Sequence, residues 1–105
     1  MELHPDLNSM ALFARVLQHG SFSETSRRLG IPVSSVSRKI SMLEQELGVR
    51  LLERTTRTIK ATEPGLELLP HCQEILDALD GARVALKKRQ TEVTGTLLRL
   101  TSAPT

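Results

Sequence analysis

Residues 21–47, SFSETSRRLG followed by IPVSSVSRKISMLEQEL, decide the fold. Ser21 followed by Glu24 is a capping box, in which a hydroxyl and a carboxylate satisfy orphan amides at a helix start. That helix is expected to end near Leu29, because Gly30 accepts the left-handed backbone that a side chain resists. Pro32 opens a helix but does not sit within one, so a second helix is expected from there to about Leu47, closed by Gly48. Val36, Ile40, Leu43 and Leu47 step by four, three and four and form its buried stripe, leaving Ser34, Ser37, Arg38 and Ser41 facing outward. Two helices this close must cross. This is the sequence form of a helix-turn-helix, and its outward face points to DNA reading.

Upstream, Met10, Phe13, Val16 and Leu17 recur at helical spacing and predict a helix over 7–19, capped by Asp6 or Asn8 with Pro5 just outside. Downstream of Gly48, the runs 49–53 and 58–62 are β-prone and flank Arg54, Thr55, Thr56 and Arg57, which predicts a two-stranded wing. Thr62 caps a further helix that begins at Glu63, with Pro64 tolerated in its first turn. It is expected to reach about Gln90, roughly 28 residues or 42 Å at the helical rise. Along it Leu68, Cys72, Ile75, Leu79, Ala82 and Leu86 form a heptad seam, widened by Leu69 and Leu76. Such a helix is too long to fold back on a small head, so its stripe predicts a second copy and a homodimer. Pro70 is expected to kink this helix or end an initial turn, and Gly81 to weaken it. Gly95, Thr96, Leu97, Leu98, Arg99 and Leu100 read as the start of a strand with nothing to pair with. The expected organisation is therefore mainly α: a winged helix-turn-helix over 1–62, a linker and dimerisation helix over 63–90, and the start of a truncated domain over 91–105.

Composition narrows the function classes. At 105 residues the chain holds one domain with an appendage, too short for most multi-domain enzymes. Phe13 and Phe22 are its two aromatic residues, so the core must be aliphatic and helical packing is favoured. The net charge of +2 is unevenly spread: residues 21–60 hold eight Lys or Arg against four acids, whereas 63–90 hold four against five. A basic excess on the helix-turn-helix suits a polyanion. Cys72 is the single cysteine, which excludes an intrachain disulfide and a multi-cysteine metal cluster. On the seam it reads as a small buried hydrophobe in preference to an interchain bridge. His4, His19 and His71 are scattered, and the adjacent His71 and Cys72 would point about 100° apart on a helix, so no metal site is expected. No apolar run approaches the ~20 residues of a membrane span and the amino terminus lacks a signal-peptide layout, which makes the cytoplasm the default. No nucleophile–base pair, paired carboxylates or phosphate loop is present, so neither an enzyme nor a cofactor is expected.

Several runs at fixed spacing carry a resemblance: Ser21-Phe22, Leu29-Gly30, Val36-Ser37-Arg38-Lys39-Ile40, Leu43-Glu44, Glu46-Leu47-Gly48, Leu51-Leu52-Glu53-Arg54, Arg57, and Thr62-Glu63-Pro64-Gly65. Over nearly its whole length the chain resembles the amino-terminal domain of LysR-type transcriptional regulators. The resemblance implies a winged helix-turn-helix, a linker helix that pairs antiparallel with that of another subunit, and a carboxy-terminal effector-binding domain that is absent here. Two departures stand out. Thr25 and Ser26 occupy an alanine pair's place in the first motif helix, adding hydroxyls able to bond a helical carbonyl. Pro32, Val33 and Ser34 replace the usual Ser or Thr, Gln and Pro; Val33 lacks the bidentate adenine contact of a glutamine, so a different base preference is expected.

A recognition helix in a major groove presents its first turns to base edges: here Val33 and Ser34, then Ser37 and Arg38. The planar fork of Arg38 matches guanine O6 and N7, worth roughly 1–3 kcal/mol of discrimination; a phosphate contact or a solvated surface arginine is the alternative. Val33 either touches a thymine methyl or packs on the wing. Ser34, Ser35, Ser37 and Ser41 are small enough for close approach. Arg54, Thr55, Thr56 and Arg57 at the wing tip suit phosphate or minor-groove contact, with Arg54 alternatively anchoring the wing through Glu63. Ser23, Arg27 and Lys39 complete the set as backbone contacts. The expected partners are double-stranded DNA bearing an imperfect palindrome and a second copy held through Leu68, Leu69, Cys72, Ile75, Leu76, Leu79, Ala82 and Leu86. Higher oligomers are expected of a full-length protein, with a small-molecule inducer acting only through its effector domain and no membrane involved. Two rivals make different predictions. A winged-helix protein-interaction module without DNA readout requires an apolar patch on the second motif helix, and an enzyme fragment with a coiled-coil arm requires a ligand that stabilises it.

Overall fold

Asp6 begins the architecture by accepting hydrogen bonds from both the amide and the hydroxyl of Ser9, at 3.2 and 2.9 Å, which caps helix α1 (Leu7–His19). The computed structural model describes residues 4–54 and 59–99. Helix α2 (Phe22–Leu29) starts on Ser21, whose hydroxyl accepts the Glu24 amide at 3.0 Å, and ends on Gly30 at φ +69°. The turn that follows is closed by Ser26: its carbonyl accepts the amides of Gly30 and Ile31 at 2.9 and 3.2 Å, and its hydroxyl donates forward to the Ile31 carbonyl. Helix α3 (Val33–Leu47) follows at once. Pro32 stands at its N-cap, one position ahead of the place expected for it, with extended backbone and no side-chain cap bond.

The wing is shorter than its sequence runs. Strands β1 (Leu52–Arg54) and β2 (Ile59–Ala61) pair antiparallel with Leu52 opposite Ala61, Glu53 opposite Lys60 and Arg54 opposite Ile59. Val49 and Arg50 are exposed and precede the ladder, while Leu51 and Leu52 are both fully buried, a pattern that breaks strict alternation. Glu53 and Lys60, both exposed, form a cross-strand pair of opposite charge. Glu44 of α3 fixes the entry to this hairpin: its carboxylate accepts the amides of Leu51 and Leu52 at 2.8 and 3.2 Å.

Helix α4 (Glu63–Arg99) is capped by Thr62, whose hydroxyl accepts the Gly65 amide at 3.1 Å and donates to the Arg50 carbonyl. It differs from expectation in three ways. It runs 37 residues, through the segment expected as the strand 95–100 as far as Arg99; one Gly95 costs a helix only about 1 kcal/mol, and no proline stands between 71 and 103 to stop it. Pro70 lies inside it without ending an initial turn. Most consequentially, its first half does fold back on the head. Cys72 and Leu76 join Phe13, Val16, Val36, Ile40, Leu43, Leu51 and Leu52 in one buried core, and α4 makes its main packing against α1. The Arg15 guanidinium on α1 donates to Asp80 of α4 at 2.9 Å, at the edge of this contact. Cys72 and Leu76 are therefore covered by the chain itself and are not open positions on a dimer seam, since periodicity marks a buried face without naming what buries it. Leu68, Leu69, Ile75 and Leu79 are half-buried at the margin of the same core, and Ala82 and Leu86 lie exposed beyond it.

Candidate nucleic-acid interface

Val36, Ile40 and Leu43 are buried to 2% or less, so they fix which way α3 is turned. The opposite side is the outward ridge. Ser34 and Arg38 are exposed on it, and Ser35, Ser37 and Ser41 are half-buried at its flanks, so the outward face is narrower than the four residues expected; Lys39, also exposed, lies behind this face, beside α1. Val33 stands 43% exposed at the first residue of the helix. Met42, 59% exposed one turn beyond Arg38, joins this surface; Arg38, Lys39 and Met42 line a shallow groove with Asp6 and Ser9 at the start of α1. The signal that marks Met42 is its step of four from Arg38 along the side opposite the core stripe.

The charges of α2 are arranged differently. Ser23 is exposed. Arg27 and Arg28 both donate to the Glu24 carboxylate, Arg27 Nε at 3.1 Å and Arg28 Nε at 2.9 Å. These bonds, from Arg27 first and then Arg28, hold the Glu24 carboxyl down at about 2. Arg27, expected as a backbone contact, thus carries a counter-charge on its own helix. His19 on α1 is held below its ordinary value by partial burial and by the nearby cations Arg28 and Arg15. Thr25 is fully buried and its hydroxyl donates to the Ser21 carbonyl at 2.8 Å, whereas Ser26 bonds across the turn; the two hydroxyls that depart from an alanine pair serve local structure. At the wing, the backbone of Arg54 closes β1, while Thr55, Thr56 and Arg57 lie outside the described residues, as does the Arg54 side chain.

A capped helix, a Schellman-type turn, an outward serine–arginine helix and a hairpin stapled to it together form a winged helix-turn-helix. Residues 7–66 match the family described as "Bacterial regulatory helix-turn-helix protein, lysR family". The chain belongs to the LysR family. A probable HTH-type transcriptional regulator, LtrA of Klebsiella pneumoniae, is 41% identical to it over 97 residues, which is 92% of this chain and 30% of that protein. The full-length structure of AphB, a virulence activator of Vibrio cholerae described as a member of the LTTR family, is similar with a TM-score of 0.73 and 33% identity, covering 77% of this chain and 28% of that one. The complex of the BenM DBD with catB site 1 DNA is similar with a TM-score of 0.68 and 32% identity, covering 82% of this chain and 96% of that one. The chain thus spans under a third of LtrA and of AphB and nearly the whole of the BenM DBD. The fold is the winged helix-turn-helix of LysR-family DNA-binding domains, with α3 in the recognition position. Among the described residues there is no group of three or more His, Cys, Asp or Glu able to hold a metal ion, and no helix is long and apolar enough to cross a membrane.

Proposed function

We propose that this chain is the DNA-reading and pairing part of a LysR-family transcription regulator, seating the start of α3 in the major groove of duplex DNA. The observation that carries this reading is the orientation of α3: its apolar stripe is spent on the core, and Ser34 and Arg38 stand outward on one ridge. Arg38 reads a guanine edge, Ser34 and Ser37 allow close approach and bond base edges or phosphates, and Lys39 with Ser23 holds the backbone. Ser35 and Ser41, set lower on the flanks, contribute only where the groove wall meets them. Arg54 and Arg57 extend the contact along the backbone from the wing. The rival reading, a protein-docking module, requires a continuous apolar patch on α3; Val33 and Met42 are separated by Ser34, Ser37, Arg38 and Lys39 and do not form one.

Two copies would pair through α4 along Leu68, Leu69, Ile75, Leu79, Ala82 and Leu86 and present their heads to an imperfect palindrome. A small-molecule inducer would act through a part of the protein outside these residues. A cytoplasmic location and a purely binding role, without catalysis, fit this reading.

Site selection from random duplex DNA tests the proposal. The chain should enrich a palindrome, and Arg38→Ala should lose preference at one base pair per half-site, a cost of roughly 1–3 kcal/mol. Unchanged preference in the variant would remove direct readout by Arg38, and retention on DNA that does not fall with added salt would remove groove seating altogether.

A further inference from the structure

The first two turns of α3 offer a groove few protruding groups. Ser34, Ser35 and Ser37 are short; what reaches outward is the isopropyl group of Val33 and, five residues on, the guanidinium of Arg38. The core does not use Val33, because Val36, Ile40 and Leu43 fill that role, and the residue stands 43% exposed. We propose that Val33 is an apolar specificity determinant that reads the C5-methyl group of a pyrimidine, borne by thymine and equally by 5-methylcytosine. This rests on the groove-seated α3 proposed above. The thymine methyl is the one apolar carbon group that projects from unmodified base pairs into the major groove, where cytosine offers only a C5–H and the remaining groups are donors or acceptors. A valine pressed on any of those would strip water from a polar atom and return no hydrogen bond. Five residues of helix span about 7.5 Å, or roughly two base-pair steps of 3.4 Å, so the methyl lies in the same half-site as the guanine read by Arg38.

Replacing each thymine of the selected site in turn by deoxyuridine removes the methyl and leaves base pairing intact. One thymine per half-site should then matter, with affinity falling about fourfold, the change for one methyl group withdrawn from an apolar contact. Val33→Ala, a surface change in a good helix former, should bind thymine and uracil sites alike. At the same position 5-methylcytosine should bind more tightly than cytosine by a similar factor in the parent chain. Equal binding of thymine and uracil sites at every position overturns the assignment, as does a uracil effect that persists in Val33→Ala or a gain confined to thymine. These outcomes leave groove seating intact; failure to enrich any site would sink both.

Discussion

Ser26 and Gly65 show how much of this head is decided by single positions. The Ser26 carbonyl accepts two amides across the turn between α2 and α3 and its hydroxyl donates to the Ile31 carbonyl; Ser26→Ala removes the hydroxyl bond alone and should cost about 1 kcal/mol in urea unfolding. Gly65 is a stricter case. A Cβ there would lie 2.2 Å from the Leu51 carbonyl oxygen, which is held in place by the Thr62 amide at 3.0 Å. Gly65→Ala should therefore destabilise by roughly 1–3 kcal/mol, read as a lower urea midpoint at unchanged slope. Glu24 makes a pH-dependent contribution. Its carboxyl is held at about 2 against an ordinary 4.5, so its pairing with Arg27 and Arg28 is fully present above about pH 4.5 and is lost as pH falls toward 2. The pair is solvent-exposed and screened by salt, so the effect is small. The drop in Tm between pH 6 and pH 2.5 should be shallower in Glu24→Gln than in the parent, and identical curves would discount the pairing. The Ser21–Glu24 capping and the Gly30 turn are legible in sequence because they are local. The close approach of Gly65 to Leu51 is not, since it joins residues brought together only by the wing.

At the scale of elements, the contrast between α3 and α4 is instructive. The apolar stripe of α3 reads correctly from sequence because a short helix flanked by caps has one core to face. In α4 the same kind of periodicity admits two covers, the chain's own α1 or another molecule, and the structure assigns Cys72 and Leu76 to α1. The wing was legible as a hairpin but not in its bounds, because consecutive Leu51 and Leu52 are both buried. Glu44, which joins α3 to the hairpin entry, leaves no local pattern, since its partners lie seven and eight residues on in another element. Docking of α4 can be followed through Cys72, whose thiol is fully buried and pushed up by that burial to about 11. At pH 8 a thiol reagent should label Cys72 only as fast as α4 opens from α1. Leu76→Ala, which empties a buried side chain at a cost of about 2–5 kcal/mol, should speed that labelling manyfold. Immediate labelling of the parent chain would contradict the packing of α4 on α1.

For the whole molecule, the dimensions of 59 × 34 × 20 Å reflect a small head carrying a long rod. Beyond Asp80 every side chain through residue 91 is exposed, including Val84 and Leu86 at 67% and 66%. A sedimentation series should therefore show association that Leu86→Glu weakens, with the head still folded by circular dichroism; a parent chain that stays monomeric at all reachable concentrations would rule out pairing through this end. The way the rod is attached matters for whatever happens at its far end. Because α4 is one unbroken helix, clamped at its root by the buried Cys72 and Leu76 and by the tether from Arg15 to Asp80, the head has no swivel. A few degrees of tilt imposed on the distal turns would be carried as rigid-body motion to α3, so in the pair proposed above the distance between the two reading helices would follow the angle between the two rods.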